Sequence, residues 1–176
     1  MSRPAVFLDR DGTINVRPPE HDYVRDSRDF EWLPGALAGL RKLADAGLPL
    51  VVVSNQRGIS LGLVTPSTLL EIERRIQEAL GGDGHQVTAF RYCPHGLDDG
   101  CDCRKPRPGL LHAAAQELGL DLGRSWMVGD SEADIEAGLA AGCRTIRLST
   151  EPGGNQRTAA SLLEAADIIL EREGSD

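Results

Sequence analysis

Ala5-Val6-Phe7-Leu8-Asp9-Arg10-Asp11-Gly12-Thr13 is the stretch from which the rest of this chain can be read. Its four leading apolar residues are the signature of a strand buried on both faces. Two carboxylates, Asp9 and Asp11, leave the end of that strand, and Gly12-Thr13 lets the chain bend back beneath them. Open α/β sheets gather their chemistry at the carboxyl ends of strands. A plainer reading is a strand end whose acids cap a turn, since Asp and Gly are ordinary turn formers. Partners at other strand ends decide between the two.

Runs of apolar and β-branched residues alternate with helical patterns along the chain, which implies βαβ units and a mostly parallel sheet covered on both faces. Pro34-Gly35 opens a helix with Leu37, Leu40 and Leu43 on one face, and Gly47 ends it. Pro49 to Val53 is a second buried strand. Thr65-Pro66 supplies an N-cap and a first-turn proline for a helix carrying Leu69, Ile72, Ile76 and Leu80, up to Gly81-Gly82. A third strand is expected over Val87 to Tyr92, followed by a helix after Pro108-Gly109 with Leu111, Ala115 and Leu118. Strands at Ser125 to Val128 and Thr145 to Leu148 flank an alanine-rich helix from Glu132 to Ala141. The pattern ends with a short helix, Thr158 to Ala166, and a last strand, Ile168 to Leu170. Gly153-Gly154-Asn155 reads as a mobile linker, and the final residues as frayed.

At 176 residues and 40% hydrophobic content the chain suits one domain with a real core. The expected fold is a Rossmann-like three-layer α/β/α sandwich, one domain over residues 1–176. A net charge of -8 argues against a broad nucleic-acid footprint, which needs a basic face. The first strand starts too close to Met1 for a signal peptide, and the longest apolar run, Leu48 to Val53, is too short to span a bilayer. A cytoplasmic protein with no membrane partner is expected. No apolar stripe stands out on a helix or sheet edge, so a monomer is the default.

Three further segments meet Asp9 and Asp11 at the same sheet edge. The second strand ends in Ser54-Asn55-Gln56-Arg57-Gly58, a hydroxyl and two amides suited to phosphate oxygens, or else a plain polar loop. Arg104-Lys105-Pro106-Arg107-Pro108-Gly109 concentrates three cations ahead of a helix; prolines flanking Arg107 restrict its backbone more than a solvated loop requires. Val128-Gly129-Asp130-Ser131-Glu132-Ala133-Asp134 again places acids between a strand and a helix. Asp130 and Asp134 can cap that helix or complement its dipole. With Asp9 and Asp11 they also form the hard oxygen set that suits magnesium.

Cys93-Pro94-His95 and Cys101-Asp102-Cys103 place three sulfurs and one imidazole within eleven positions. Cys3His is a closed tetrahedral zinc set, so the loop over residues 93–103 is expected to bind Zn2+ structurally. Cys143, in Ala-Gly-Cys-Arg before a strand, reads as a small core residue. His21, His85 and His112 have no partners at ligand spacing.

With these motifs in order, the chain resembles the haloacid dehalogenase superfamily of phosphatases along nearly its whole length. The resemblance implies an Mg2+-dependent phosphomonoesterase in which Asp9 is the nucleophile that forms an aspartyl-phosphate. Asp11 would protonate the leaving alkoxide and later deprotonate water. Ser54 and Lys105 would hold the transferring group. The Asp9 carboxylate, the Asp11 main-chain carbonyl and Asp130 would hold magnesium, with Asp134 behind them orienting Lys105 or a metal-bound water. Phe-Leu-Asp-Arg-Asp-Gly-Thr-Ile-Asn, Ser-Asn-Gln-x-Gly-Ile and Cys-Asp-Cys-Arg-Lys-Pro-x-Pro-Gly narrow the resemblance to the branch holding heptose-bisphosphate and histidinol-phosphate phosphatases. Ser54 stands where that branch often has threonine, and the span between the cysteine arms is short.

The intervals between motifs leave no room for a separate cap domain, so selection of a small phosphorylated sugar falls to three loops. These are Asn15 to Val24, Asn55 to Gly62, and the cysteine loop with Arg104. A distal phosphate would meet Arg104, with substrate hydroxyls on Asn55 or Gln56. Histidinol phosphate is the rival substrate; its amine would call for acids such as Glu20 or Asp22. A nucleic-acid-end phosphatase lacks support from an aromatic content of 4%. A non-catalytic interaction domain conflicts with the full set of chemical residues.

Overall fold

The computed structural model describes residues 2–20, 22–82, 84–151 and 153–173. Six parallel strands form one sheet in the order β3-β2-β1-β4-β5-β6. They are β1 (Val6–Leu8), β2 (Leu50–Asn55), β3 (Ala89–Cys93), β4 (Trp126–Gly129), β5 (Arg144–Leu148) and β6 (Thr158–Ala159). Helices α1 (Ala36–Asp45), α2 (Pro66–Leu80), α3 (Gly109–Leu118), α4 (Glu132–Ala140) and α5 (Leu162–Glu173) cover both faces, giving the expected three-layer α/β/α sandwich.

Strand alternation divides the core into two layers. Val6 and Leu8 point to the face covered by Leu40 and Leu43 of α1, Ile72 and Ile76 of α2, and Ile169 of α5. Phe7 points the other way, toward Leu111 of α3 and Ala137 of α4. All three β1 side chains are fully buried, each contributing roughly 1.5–3 kcal/mol. β1 is bonded to β2 on one side and β4 on the other, in registers Phe7↔Val51 and Phe7↔Met127. The order of connection reverses here, which leaves a crevice at the strand ends for the acid pair.

Local signals place the helices. Thr65 caps α2, its Oγ1 accepting from the Thr68 N–H at 3.1 Å, with Pro66 in the first turn and Gly81 leaving at φ 93°. The N-cap of α4 is Ser131, not Asp130, in a capping box with Asp134.

The end of the chain corrects the sequence reading. Ile168 to Leu170 is no strand but part of α5, whose buried Leu162, Ala165, Ala166 and Ile169 follow a helical period. The last strand is instead Thr158–Ala159, paired to β5, where a helix start was expected. Gly153 takes part in a turn between them, its carbonyl accepting from Gln156 N–H at 2.9 Å. The expected fraying over residues 174–176 lies outside the described residues. No helix among the described residues is long and apolar enough to cross a membrane.

Candidate active site

Four chain segments separated by up to 125 positions converge at the carboxyl edge of the sheet. The Lys105 ammonium sits at their centre, donating to Asp9 Oδ1 at 2.7 Å, Asp134 Oδ1 at 2.5 Å and the Val53 carbonyl at 2.8 Å. The three side chains of the ion-pair chain are almost wholly buried. Burial raises the Asp9 carboxyl from 3.8 to about 7; Lys105 pulls it down, while Asp134 adds to the rise. For Lys105, burial works against the charged form, but Asp9 and Asp134 outweigh it and hold the ammonium above its ordinary value.

Each member is fixed by its element. Asp9 follows β1, its N–H bonded to the Val128 carbonyl at 3.0 Å. Asp134 lies in the first turn of α4, where its Oδ2 accepts from the Ser131 N–H at 3.0 Å and hydroxyl at 2.6 Å, leaving Oδ1 for Lys105. A Cβ at Gly129 would lie 2.3 Å from the Asp134 Cβ, so the close approach of α4 to the end of β4 requires glycine there.

Asp11 is held by a dense set of donors. Arg10 reaches it through Nε at 3.1 Å and Nη2 at 2.9 Å, Asn15 Nδ2 at 2.9 Å, and Gln56 Nε2 at 2.9 Å. Gln56 also donates to Ser54 Oγ at 3.0 Å. Gln56 is therefore buried behind Asp11, away from the cavity, rather than turned toward a substrate hydroxyl. Asn55 lines the cavity, yet its side chain brackets the Lys105 backbone with two 3.0 Å bonds, Nδ2 to the carbonyl and Oδ1 from the N–H. Its amide serves to place Lys105.

Asp130 occupies the far side. Its carboxylate comes so near Gly12 that a Cβ there would lie 2.1 Å from Oδ2, and Gly12 has φ 95°, a conformation open to glycine. Arg17 grips it with both prongs, Nε to Oδ2 at 2.9 Å and Nη2 to Oδ1 at 2.6 Å. The loop from Asn15 to Val24 was expected at the site, but nothing in the sequence singled out Arg17 within it. A lone arginine in a polar loop has no spacing signal, and its partner lies 113 residues away.

Ligand oxygens of Asp9, Asp130 and Asp134 lie within 4.8 Å of one another. Their hard donor chemistry fits Mg2+. Asp134 is fixed by buried Lys105 and by Ser131, whereas the partner of Asp130 is the half-exposed Arg17, which leaves Asp9 and Asp130 as the better ligands. Arg17, Asn55, Arg57, Leu97 and Arg104 surround a cavity of about 460 Å³ over Asp9 and Asp11, so all three expected loops contribute to it.

Beside the cavity, Cys93, His95, Cys101 and Cys103 converge. Cys93 Sγ is 3.6 Å from Cys101 Sγ and 3.5 Å from His95 Nδ1, and His95 Nδ1 is 3.2 Å from Cys103 Sγ. A tetrahedral zinc with bonds of about 2.3 Å to sulfur has ligand-to-ligand edges of about 3.5–3.8 Å, so the cluster is compatible with Zn2+. Cys143 is buried in the core as expected, and burial pushes its thiol up to about 12. His85 meets Asp45 at 2.5 Å, and His21 lies outside the described residues.

Known proteins resemble this chain in sequence and in fold. Residues 102–171 match the family described as HAD-hydrolase-like. A D-glycero-beta-D-manno-heptose-1,7-bisphosphate 7-phosphatase of Pseudomonas aeruginosa is 37% identical over 97% of this chain and 94% of its own length. A D-glycero-alpha-D-manno-heptose-1,7-bisphosphate 7-phosphatase of Mycobacterium tuberculosis is 39% identical over 96% and 93%. The crystal structure of a D,D-heptose 1,7-bisphosphate phosphatase from B. bronchiseptica, complexed with magnesium and phosphate, superposes with a TM-score of 0.85 at 33% identity, covering 96% of this chain and 99% of that one. With an acid pair at the end of its central strand, a buried lysine and two further acids, and with relatives matched over nearly its whole length, this chain belongs to the haloacid dehalogenase-like hydrolases, in their heptose-bisphosphate phosphatase branch.

Proposed function

We propose that this protein hydrolyses the carbon-7 phosphate of D-glycero-D-manno-heptose 1,7-bisphosphate, supplying a route to nucleotide-activated heptose. The observation that carries the chemistry is the Lys105 ammonium, 2.7 Å from Asp9 Oδ1 on the floor of the cavity. The substrate class rests on relatives that carry this activity over nearly the full length.

Asp9 attacks phosphorus through the oxygen that Lys105 leaves free, and the bond to the sugar oxygen breaks. Lys105 offsets charge on the transferring group, and Ser54 offers a hydroxyl from the end of β2. Asp11, oriented by Arg10, Asn15 and Gln56, gives a proton to the leaving alkoxide and takes one from the water that cleaves the aspartyl-phosphate. Asp9, Asp130 and the Asp11 main-chain carbonyl would hold Mg2+, which supplies charge neutralisation when bound.

Arg104 lines the cavity beside Lys105, and its guanidinium makes a long 3.5 Å donation to the His95 carbonyl. It is suited to the distal phosphate, since a planar guanidinium matches phosphate in pairs of bonds. Arg104→Ala is expected to raise KM for the 1,7-bisphosphate by roughly tenfold or more, with a much smaller change for a monophosphate. Equal effects on both substrates would remove Arg104 from that role. Histidinol phosphate is less well matched: Asp22, one of the acids that its amine would require, already accepts from the Tyr23 N–H at 2.8 Å and Arg25 at 3.1 Å.

Zinc in the cysteine loop has a mechanical role in this reading, because Cys103 directly precedes Arg104 and Lys105. One zinc per chain is expected by elemental analysis. Its removal with a strong chelator, followed by magnesium replacement, should lower the melting temperature by about 5 °C or more and suppress turnover. Full activity without zinc would separate the loop from catalysis.

The deciding experiment is a phosphate-release panel with magnesium: both anomers of heptose 1,7-bisphosphate, histidinol phosphate, and hexose and nucleoside phosphates. A heptose bisphosphate should exceed the others in kcat/KM by more than about tenfold, equivalent to about 1.4 kcal/mol. Preference for histidinol phosphate would replace the proposal with its rival.

A further inference from the structure

The contact between Arg17 and Asp130 is not explained by the chemistry above, and it bears directly on it. Both oxygens of Asp130 are spent on the guanidinium. A dication that takes Asp130 as a ligand competes with the guanidinium for the charge of the same carboxylate, two cations meeting on one acid. The carboxylate itself has little freedom to turn away: Gly12 closes against it, and its main-chain carbonyl accepts from Arg147 Nε at 3.3 Å. The partner changes while the acid stays.

The guanidinium has somewhere to go. Its side chain is 52% exposed and lines the cavity. The backbone around it is anchored, with Val16 N–H on the Glu31 carbonyl at 2.8 Å and Asp22 N–H on the Pro19 carbonyl at 2.9 Å, and Pro18-Pro19 stiffen the segment that follows. Rotation of its side chain alone, without movement of the loop, would therefore suffice for Arg17 to leave Asp130.

We propose that Arg17 and the dication alternate on Asp130, and that the displaced guanidinium then clamps the phosphate of the substrate that is not transferred. This rests on the bisphosphatase reading for its second half only. Arg17 holds Asp130 in place against repulsion from Asp9 and Asp134 until the ion arrives. The ion then frees a cation for an incoming polyanion, so the two binding events are coupled through one side chain.

Magnesium chloride titrated calorimetrically into the full chain tests the first half. Arg17→Ala, which removes the competitor from an exposed position, should bind magnesium about fivefold more tightly than the unaltered protein, and Arg17→Lys, which cannot form the paired contact, should fall between. Unchanged or weaker magnesium binding in Arg17→Ala overturns the competition. Steady-state kinetics test the second half: KM should rise at least about fivefold more for heptose 1,7-bisphosphate than for the 7-monophosphate. An equal rise for both overturns the clamp. Should the unaltered protein hydrolyse no heptose bisphosphate, the functional reading fails, while the calorimetric comparison still judges the exchange on Asp130.

Discussion

Asp9→Asn is expected to bind substrate with little change in affinity and to release phosphate more slowly by roughly 10⁴-fold or more, since an amide does not attack phosphorus. Single-turnover assays with excess enzyme check this without interference from product release. Normal turnover would place the nucleophile elsewhere. The same change carries a second expectation, for stability. Asp9 titrates higher in the folded chain, from 3.8 to about 7, because burial opposes its charge. A carboxyl raised in this way contributes stability that is complete at low pH and is lost as the pH climbs from about 4 through 7. Asparagine never ionises, and Lys105 keeps Asp134 and the Val53 carbonyl as partners. Asp9→Asn should therefore melt no lower than the unaltered chain at pH 8 with magnesium chelated; a clear drop would mean that the Asp9–Lys105 pair outweighs the cost of burying the charge.

Lys105→Met is the second large effect, and its sign is opposite. It leaves Asp9 and Asp134 buried and facing each other without a cation, a change that typically costs about 3–5 kcal/mol. In a chain of this length that corresponds to roughly 10 °C in melting temperature, read by calorimetry in chelator. Turnover should also fall by at least about 10²-fold, because charge on the transferring group loses its nearest offset. Magnesium should restore part of the melting temperature but little of the rate. A variant with unchanged stability would show that the pair of acids is neutralised by protonation instead.

Much of this was legible before the fold was known, for physical reasons that differ by element. β1 and β2 carry continuous apolar runs, and α2 has a cap, a first-turn proline and a regular stripe, so propensity and burial point the same way. Ile168 to Leu170 shows the limit: three apolar residues fit a buried strand or one turn of helix equally well, and only packing of α5 on α1 and the sheet decides. The acids of the candidate site were legible because they follow the ends of central strands, Asp9 and Asp11 after β1 and Asp130 after β4, with Gly12 and Gly129 close by. What could not be read was direction. Gln56 was recognisable as a site residue, but not that it turns inward to hold Asp11. Arg17 and Asp130 meet only through the folded topology, and a loop arginine leaves no pattern to find.

The position of β1 has a consequence for behaviour on warming. Its amides are locked between two ladders in the middle of the sheet, so thermal breathing frees them only when the whole sheet opens. Arg17 and Tyr23, by contrast, line the cavity from a segment outside the sheet, where an exposed side chain such as that of Arg17 turns even while the backbone bonds hold. Asp9, the nucleophile of the proposed reaction, is therefore expected to loosen last, and the exposed side chains over the cavity first. Heating should blunt discrimination among sugars well before it stops hydrolysis.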